Sequence, residues 1–176
     1  PLVASSFSHD LLYAMGEFMG LECVIVGLPI IWGPGGNTHR MPYNGRTGEY
    51  YSEDAILTGV ACMEFAVGGR DNGLIASPKH YAFNDQELNR NGIAPFMTEQ
   101  RAREVELRAF QVAFEASYYD RVRGEDTGML GMMISFSKIG AVECTCSWGL
   151  INGIAVGEWD FHGYCVTDIN DDTDSL

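Results

Sequence analysis

Short apolar runs that stop abruptly at polar residues constrain this chain more than any other feature. Residues 28–32 (Leu-Pro-Ile-Ile-Trp), 73–77 (Gly-Leu-Ile-Ala-Ser), 129–135 and 164–167 (Tyr-Cys-Val-Thr) are nearly all apolar and are bounded by glycine, proline or charge. Such runs predict strands buried on both faces. Helical patterns separate them. Residues 10–26 place Leu11, Leu12, Met15, Phe18, Met19 and Val26 near one stripe, with Ser8 or Asp10 able to cap it. Residues 55–67 follow the cap Ser52-Glu-Asp54, residues 98–119 open on Thr98-Glu-Gln-Arg101, and residues 147–158 carry Trp148, Leu150, Ile151, Ile154 and Val156. Strict alternation of helix and apolar strand predicts an α/β fold, a parallel sheet covered by helices. A doubly wound sheet and a (β/α)8 barrel both satisfy it. No glycine fingerprint or P-loop stands at a strand-to-helix turn, and a polar loop follows each strand, which favours the barrel. A complete barrel takes ~250 residues. The expectation for 176 residues is therefore a TIM-like barrel that is incomplete, covering about the region of strands two to seven.

Charge narrows the partners. With 24 acidic and 11 basic residues the net charge is -13, which repels phosphate backbones and anionic headgroups, so neither nucleic acid nor a membrane surface is expected. No apolar run reaches the ~20 residues of a spanning helix, and the N-terminus lacks a signal-peptide pattern. Pro1 in place of Met leads us to expect that the true start lies upstream. Cys23, Cys62, Cys144, Cys146 and Cys165 are odd in number and mostly in apolar surroundings, which predicts buried thiols in a reducing compartment, cytoplasmic rather than secreted. The spacing Cys144-Thr-Cys146 suits no zinc knuckle, and His39, His80 and Asp168 have no ligand spacing, so no metal or cofactor is expected.

In a parallel barrel all C-terminal strand ends open on one face. That gathers Asn37, Arg40 and Arg46 after the first run, Lys79, His80 and Arg90 after the second, Ser135 to Lys138 after the third, and Asp168 after the fourth. One carboxylate then faces several cations and an imidazole. The set suits a substrate dense in hydroxyls, because Lys, Arg and His donate to sugar oxygens while an ionised Asp168 can attack an anomeric carbon. Each residue also has a plain reading. Asp168 can be a turn or N-cap aspartate, Arg46 with Glu49 a loop salt bridge, Lys79 a solvated lysine, His80 a satisfied core histidine and Arg90 a surface cation. A Schiff-base role for Lys79, with His80 assisting, is a further chemistry the residues allow.

Four motifs resemble glycoside hydrolase family 3, the family of many β-glucosidases. They are Gly33-Pro-Gly-Gly-Asn37 with His39-Arg-Met-Pro42, Gly45-Arg46, Glu49-Tyr50 and Ser52-Glu-Asp54; Lys79-His80-Tyr81 with Asn84, Gln86-Glu87 and Arg90; Met133 to Lys138; and Trp159-Asp-Phe-His-Gly-Tyr-Cys-Val-Thr-Asp168. The resemblance implies that residues 1–176 are part of the family's catalytic barrel, that Asp168 is its nucleophile, forming a covalent glycosyl intermediate with retention, and that no cofactor takes part. It implies that Arg46, Lys79, His80 and Arg90 hold the hydroxyls of a terminal β-D-glucosyl residue. It also implies cis peptide bonds around Lys79-His80. Phe136 stands where the family usually has a tyrosine that touches the nucleophile, Ser137 where it has asparagine, and Ile169 where a tryptophan often borders the leaving-group subsite. The family's first strand is expected before Pro1. Its general acid/base glutamate is expected on another domain, in the remainder of the polypeptide or in a partner chain, since neither Glu143 nor Glu158 matches it. A non-catalytic carbohydrate-binding barrel is the alternative.

Overall fold

The computed structural model describes residues 1–115 and 129–168. Helix α1 spans His9–Val26; the Ser8 hydroxyl accepts from the Leu11 amide at 3.3 Å, and Gly27 closes the helix in the left-handed conformation. Strand β1 is Ile30–Ile31, helix α2 is Ala55–Arg70 with Asp54 as its N-cap, and β2 is Ile75–Ala76. The long helix expected from residue 98 is divided. It comprises α3 (Glu99–Arg101), a π-helical turn (Ala102–Glu106) and α4 (Arg108–Phe114), while its expected end at Tyr119 lies outside the described residues. The wide turn carries Glu106, whose buried carboxylate accepts from Arg101 at 2.8 Å and from Thr38 at 3.1 Å. Strand β3 (Gly131–Ile134) leads into an antiparallel hairpin, β4 (Lys138–Ile139) and β5 (Val142–Glu143), that hydrophobic periodicity did not foretell. A π-helix, Gly149–Val156, replaces the regular helix expected there, and β6 is Tyr164–Thr167.

The main strands are parallel and neighbour one another in chain order. Ile30 pairs with Ile75 and Ile31 with Ala76, while β3 and β6 pair from Gly131 with Tyr164 to Ile134 with Thr167. The chain beyond β2 stays extended and joins the two pairs, because Met133 donates to Pro78 O at 3.1 Å, Tyr81 to Met133 O at 2.8 Å and Ser135 to Tyr81 O at 2.7 Å. Regular ladders are shorter than the apolar runs because Pro29, Pro34 and Pro78 have no amide hydrogen to give. The expectation of strands buried on both faces holds for β3, which is buried throughout, and fails for β1 and β6. These two are the outer strands of the described sheet, so each has only one strand beside it.

Helices α1 and α2 pack at backbone contact. A Cβ on Gly16 would lie 2.1 Å from the Phe65 carbonyl oxygen, and one on Gly68 would lie 2.2 Å from that of Tyr13. Between sheet and α4 sits an aromatic cluster. The Tyr81 ring meets Phe110 edge-on at 5.3 Å and Trp159 at 5.9 Å, and its hydroxyl donates to Leu150 O at 2.8 Å. That anchors the segment carrying Lys79 and His80. Cys23, Cys62 and Cys144 are buried as expected; Cys146 and Cys165 are exposed, which corrects the broader expectation of buried thiols. Cys165 alternates outward on the outer strand β6. Among the described residues no helix is long and apolar enough to cross a membrane.

Candidate active site

Asp168 is the first residue past β6, and its amide still donates to Ile134 O at 3.2 Å, so the ladder itself fixes where the side chain begins. Its carboxylate accepts from a terminal nitrogen of the Arg90 guanidinium and lies 3.5 Å from His80 Nε2. The Arg90 guanidinium in turn lies over the Phe136 ring, 4.8 Å from its centroid, a cation–π contact supplied by the residue two past the end of β3. Three strand ends thus meet at Asp168.

His80 arrives from the extended segment after β2. Asn37, in the loop after β1, holds its peptide group from both sides, accepting from His80 N at 2.7 Å and donating to His80 O at 3.1 Å. The Lys79–His80 and Tyr81–Ala82 peptide bonds are cis. The imidazole is buried, with Nε2 3.0 Å from Arg46 Nη1 and Nδ1 3.2 Å from the Tyr50 hydroxyl. Burial first, and then the positive charges of Arg46, Lys79 and Arg90, push its pKa down to about 2, so the ring is neutral. Phe83 takes a left-handed conformation (φ 67°), turning the chain so that Asn84 faces both Tyr50 and His80.

The site holds more negative charge than one carboxylate. Glu49 accepts from Lys79 Nζ at 3.0 Å and from Arg46 Nε at 2.7 Å, and Glu87 lies 3.7 Å from Arg46 and 3.8 Å from Arg90. Burial raises the Glu49 pKa, but the hydrogen bonds from Lys79 and Arg46 outweigh it and hold the carboxyl below its usual value. The picture of a lone carboxylate facing cations is therefore corrected to an alternation of three cations (Arg46, Lys79, Arg90) with three carboxylates (Glu49, Glu87, Asp168). Opposite charges at these spacings hold one another extended and ready to be shared with hydroxyl groups.

Arg46, Lys79, His80, Arg90, Phe136 and Asp168 are all in this cluster or in contact with it. Arg40 and Lys138 are directed elsewhere: Arg40 to the buried Asp85 and to Gln86, Lys138 to Glu143 at 3.3 Å. Ser135 spends its hydroxyl on Ala82 O at 2.8 Å. Sequence reasoning missed the parts played by Glu87, Tyr50 and Asn84, and gave Glu49 only a loop salt bridge, which it does make. The available signal was spacing, since Glu49 stands three residues after Arg46 and Glu87 three before Arg90. Ile169 lies outside the described residues.

The model of the Glycosyl hydrolase family 3 N terminal domain matches residues 2–172. Probable beta-glucosidase J of Neosartorya fischeri is 32% identical over 166 residues, which is 94% of this chain and 18% of the relative. A beta-glucosidase of Bacteroides ovatus is 34% identical over 168 residues, 96% of this chain and 20% of the relative. The structure of beta-glucosidase 3B from Thermotoga neapolitana in complex with glucose matches with a TM-score of 0.85 at 31% identity, covering 94% of this chain and 22% of that one. Beta-glucosidase from Kluyveromyces marxianus matches with a TM-score of 0.86 at 30% identity, covering 94% and 19%. The chain spans about a fifth of the length of the curated relatives it matches.

Proposed function

The chain belongs to glycosyl hydrolase family 3, and from that premise we propose that residues 1–176 form one part of the catalytic barrel of a β-glucosidase-type retaining hydrolase. The observation that carries the reading is the Asp168 carboxylate at a strand end, fixed by Arg90 and bordered by the neutral ring of His80. A carboxylate at a strand end, oriented by a guanidinium, stands where a nucleophile toward an anomeric carbon is needed.

In this account Arg46, Lys79, His80 and Arg90 hold the hydroxyls of a terminal β-glucosyl residue, and Phe136 lies beneath Arg90. Asp168 attacks the anomeric carbon, the bond from that carbon to the leaving oxygen breaks, and that oxygen takes a proton from a general acid. Water, deprotonated by the same group, then cleaves the glycosyl ester with overall retention. The acid/base comes from the remainder of the polypeptide or a partner chain. Neither Glu143 nor Glu158 matches the family's acid; they pair with Lys138 at 3.3 Å and with Arg103 at 2.6 Å. In the assembled enzyme the acid/base should stand about 5.5 Å from Asp168, the separation that suits retention. The missing barrel strands would cover the outer edges of β1 and β6. The five free thiols support a reducing compartment such as the cytoplasm.

The test is Asp168→Ala in the full-length enzyme, assayed on an aryl β-glucoside. Hydrolysis should be abolished while the fold persists by circular dichroism; undiminished turnover would refute the assignment.

A further inference from the structure

Two asparagines border His80, and each stands next in sequence to a residue tied into a buried set of charges. Asn37 grips the His80 peptide group, and its neighbour Thr38 donates its hydroxyl to Glu106 Oε2 at 3.1 Å. Asn84 Nδ2 stands 3.3 Å from the imidazole, and its neighbour Asp85 sets its carboxylate against Arg40 Nε, while Arg40 Nη2 donates to Gln86 Oε1 at 3.3 Å. A tight turn joins the two branches, since Arg40 N donates to Thr38 O at 3.0 Å. Glu106 Oε1 accepts from Arg101 Nη2 at 2.8 Å and Nε at 3.3 Å. Thr38, Asp85 and Glu106 are all buried. Two carboxylates and two guanidiniums thus stand behind both asparagines.

We infer that Glu106 is a positioning residue, acting through the Thr38 hydroxyl to fix Asn37 and, with it, the Lys79–His80 segment of the site. The inference rests on the glucosyl subsite proposed above and adds a residue that supports it from the helix. The wide helical turn explains how Glu106 reaches Thr38. Leu107 N donates to Ala102 O, five residues back, at 2.8 Å, and the extra residue in the turn brings both Glu106 and Leu107 to the buried side. Packing alone would be served better by an apolar side chain, because a buried carboxylate loses its hydration and the ion pair with Arg101 does no more than offset that loss. What a carboxylate supplies and a leucine lacks is a fixed acceptor. Arg101 takes Oε1 and leaves Oε2 for Thr38. Threonine is stiff at χ1, so holding its hydroxyl also holds the backbone beside Asn37.

The test compares Thr38→Val with Thr38→Ser in the full-length enzyme, by kcat/KM on an aryl β-glucoside at a temperature where circular dichroism shows each variant folded. Valine keeps the shape and loses the hydroxyl; serine keeps the hydroxyl and loses a methyl group. Thr38→Val should lower kcat/KM about three- to tenfold, the worth of one hydrogen bond. Thr38→Ser should stay within about twofold of the unmutated enzyme, although it is the variant that leaves a gap in the packing. Glu106→Ala should lower kcat/KM about 10- to 10²-fold, and adding Thr38→Val to it should lower it no further, because the two residues act in one line. A merely structural role would reduce melting temperatures and leave kcat/KM of the folded variants within about twofold of the unmutated enzyme, and that result overturns the proposal. So do a Thr38→Ser as impaired as Thr38→Val and additive losses in the double variant. If Glu106→Ala does not fold, the valine–serine pair decides alone. If the unmutated full-length enzyme hydrolyses no aryl β-glucoside and a 2-fluoro glucoside leaves no covalent label, the β-glucosidase reading falls, and this inference with it. An active enzyme whose Thr38→Val variant is undiminished sinks the inference alone.

Discussion

Arg90 connects three of the residues on which the account depends: it pairs with Asp168, lies over Phe136 and faces Glu87. A guanidinium can do all three at once because it is planar and carries several fixed donors, which an ammonium lacks. Arg90→Lys should therefore cost the full-length enzyme about 10²-fold in kcat/KM, the scale of a misplaced reacting group, as measured on an aryl β-glucoside. An effect below twofold would mean that Asp168 is held by other contacts. A second residue-scale expectation concerns Asp85, which is buried beside Arg40. Burial and then the charge of Glu106 push its carboxyl up to about 6, with Arg40 acting against them. A carboxyl whose folded pKa exceeds its unfolded value of 3.8 binds its proton more tightly when folded. Its contribution to stability is thus fully present below the ordinary carboxylate range and is lost as pH rises through about 6. Thermal melts between pH 4 and 7 should show that loss, and Asp85→Asn should remove it; a slope that survives the substitution would assign it to other groups.

Among the elements, the glycine contact between α1 and α2 is the least tolerant of change. Gly68→Ala would drive a methyl group into the Tyr13 carbonyl, which is backbone and cannot rotate aside. Chemical denaturation should report a loss of between about 1 and 3 kcal/mol, the usual cost of overpacking. An unchanged midpoint would show that the helices can separate freely. The same scale shows what could be read from the chain alone. Helix α1 was legible at both ends and α2 at its cap, while α2 continues through Gly68-Gly69, where the apolar pattern stops, to Arg70. Strand positions were legible too, but their lengths were not, since prolines interrupt the ladders and only the neighbouring strand decides which amides pair. The π-helical turns and the β4–β5 hairpin were not legible, because nothing in a period of 3.6 or 2 residues marks a wider turn or a two-residue strand. At the site, Asp168, Arg46, Lys79, His80 and Arg90 stood out as strand-end polar groups. Tyr50 and Asn84 did not, because neither ends a strand and each reaches the site through its contact with His80.

On the scale of the whole molecule, α1 presents Leu11, Phe18, Leu21, Val24, Ile25 and Val26 to solvent, continuous in sequence with the exposed Leu28 and Ile30 at β1. An apolar face of this kind marks a surface that something covers. In the proposed assembly it is the rest of the barrel, so the 176-residue chain alone should bind a hydrophobic dye far more strongly, per mole, than the full-length protein; equal fluorescence would leave that face without a cover. The central claim, that Asp168 is the nucleophile, has a direct test. The full-length enzyme is incubated with a 2-deoxy-2-fluoro-β-glucoside carrying a good leaving group, digested, and its peptides mapped by mass spectrometry. The account requires a fluoroglucosyl adduct on the peptide bearing Asp168 and on that residue; an adduct on any other carboxylate, in an enzyme that the reagent inactivates, would contradict it.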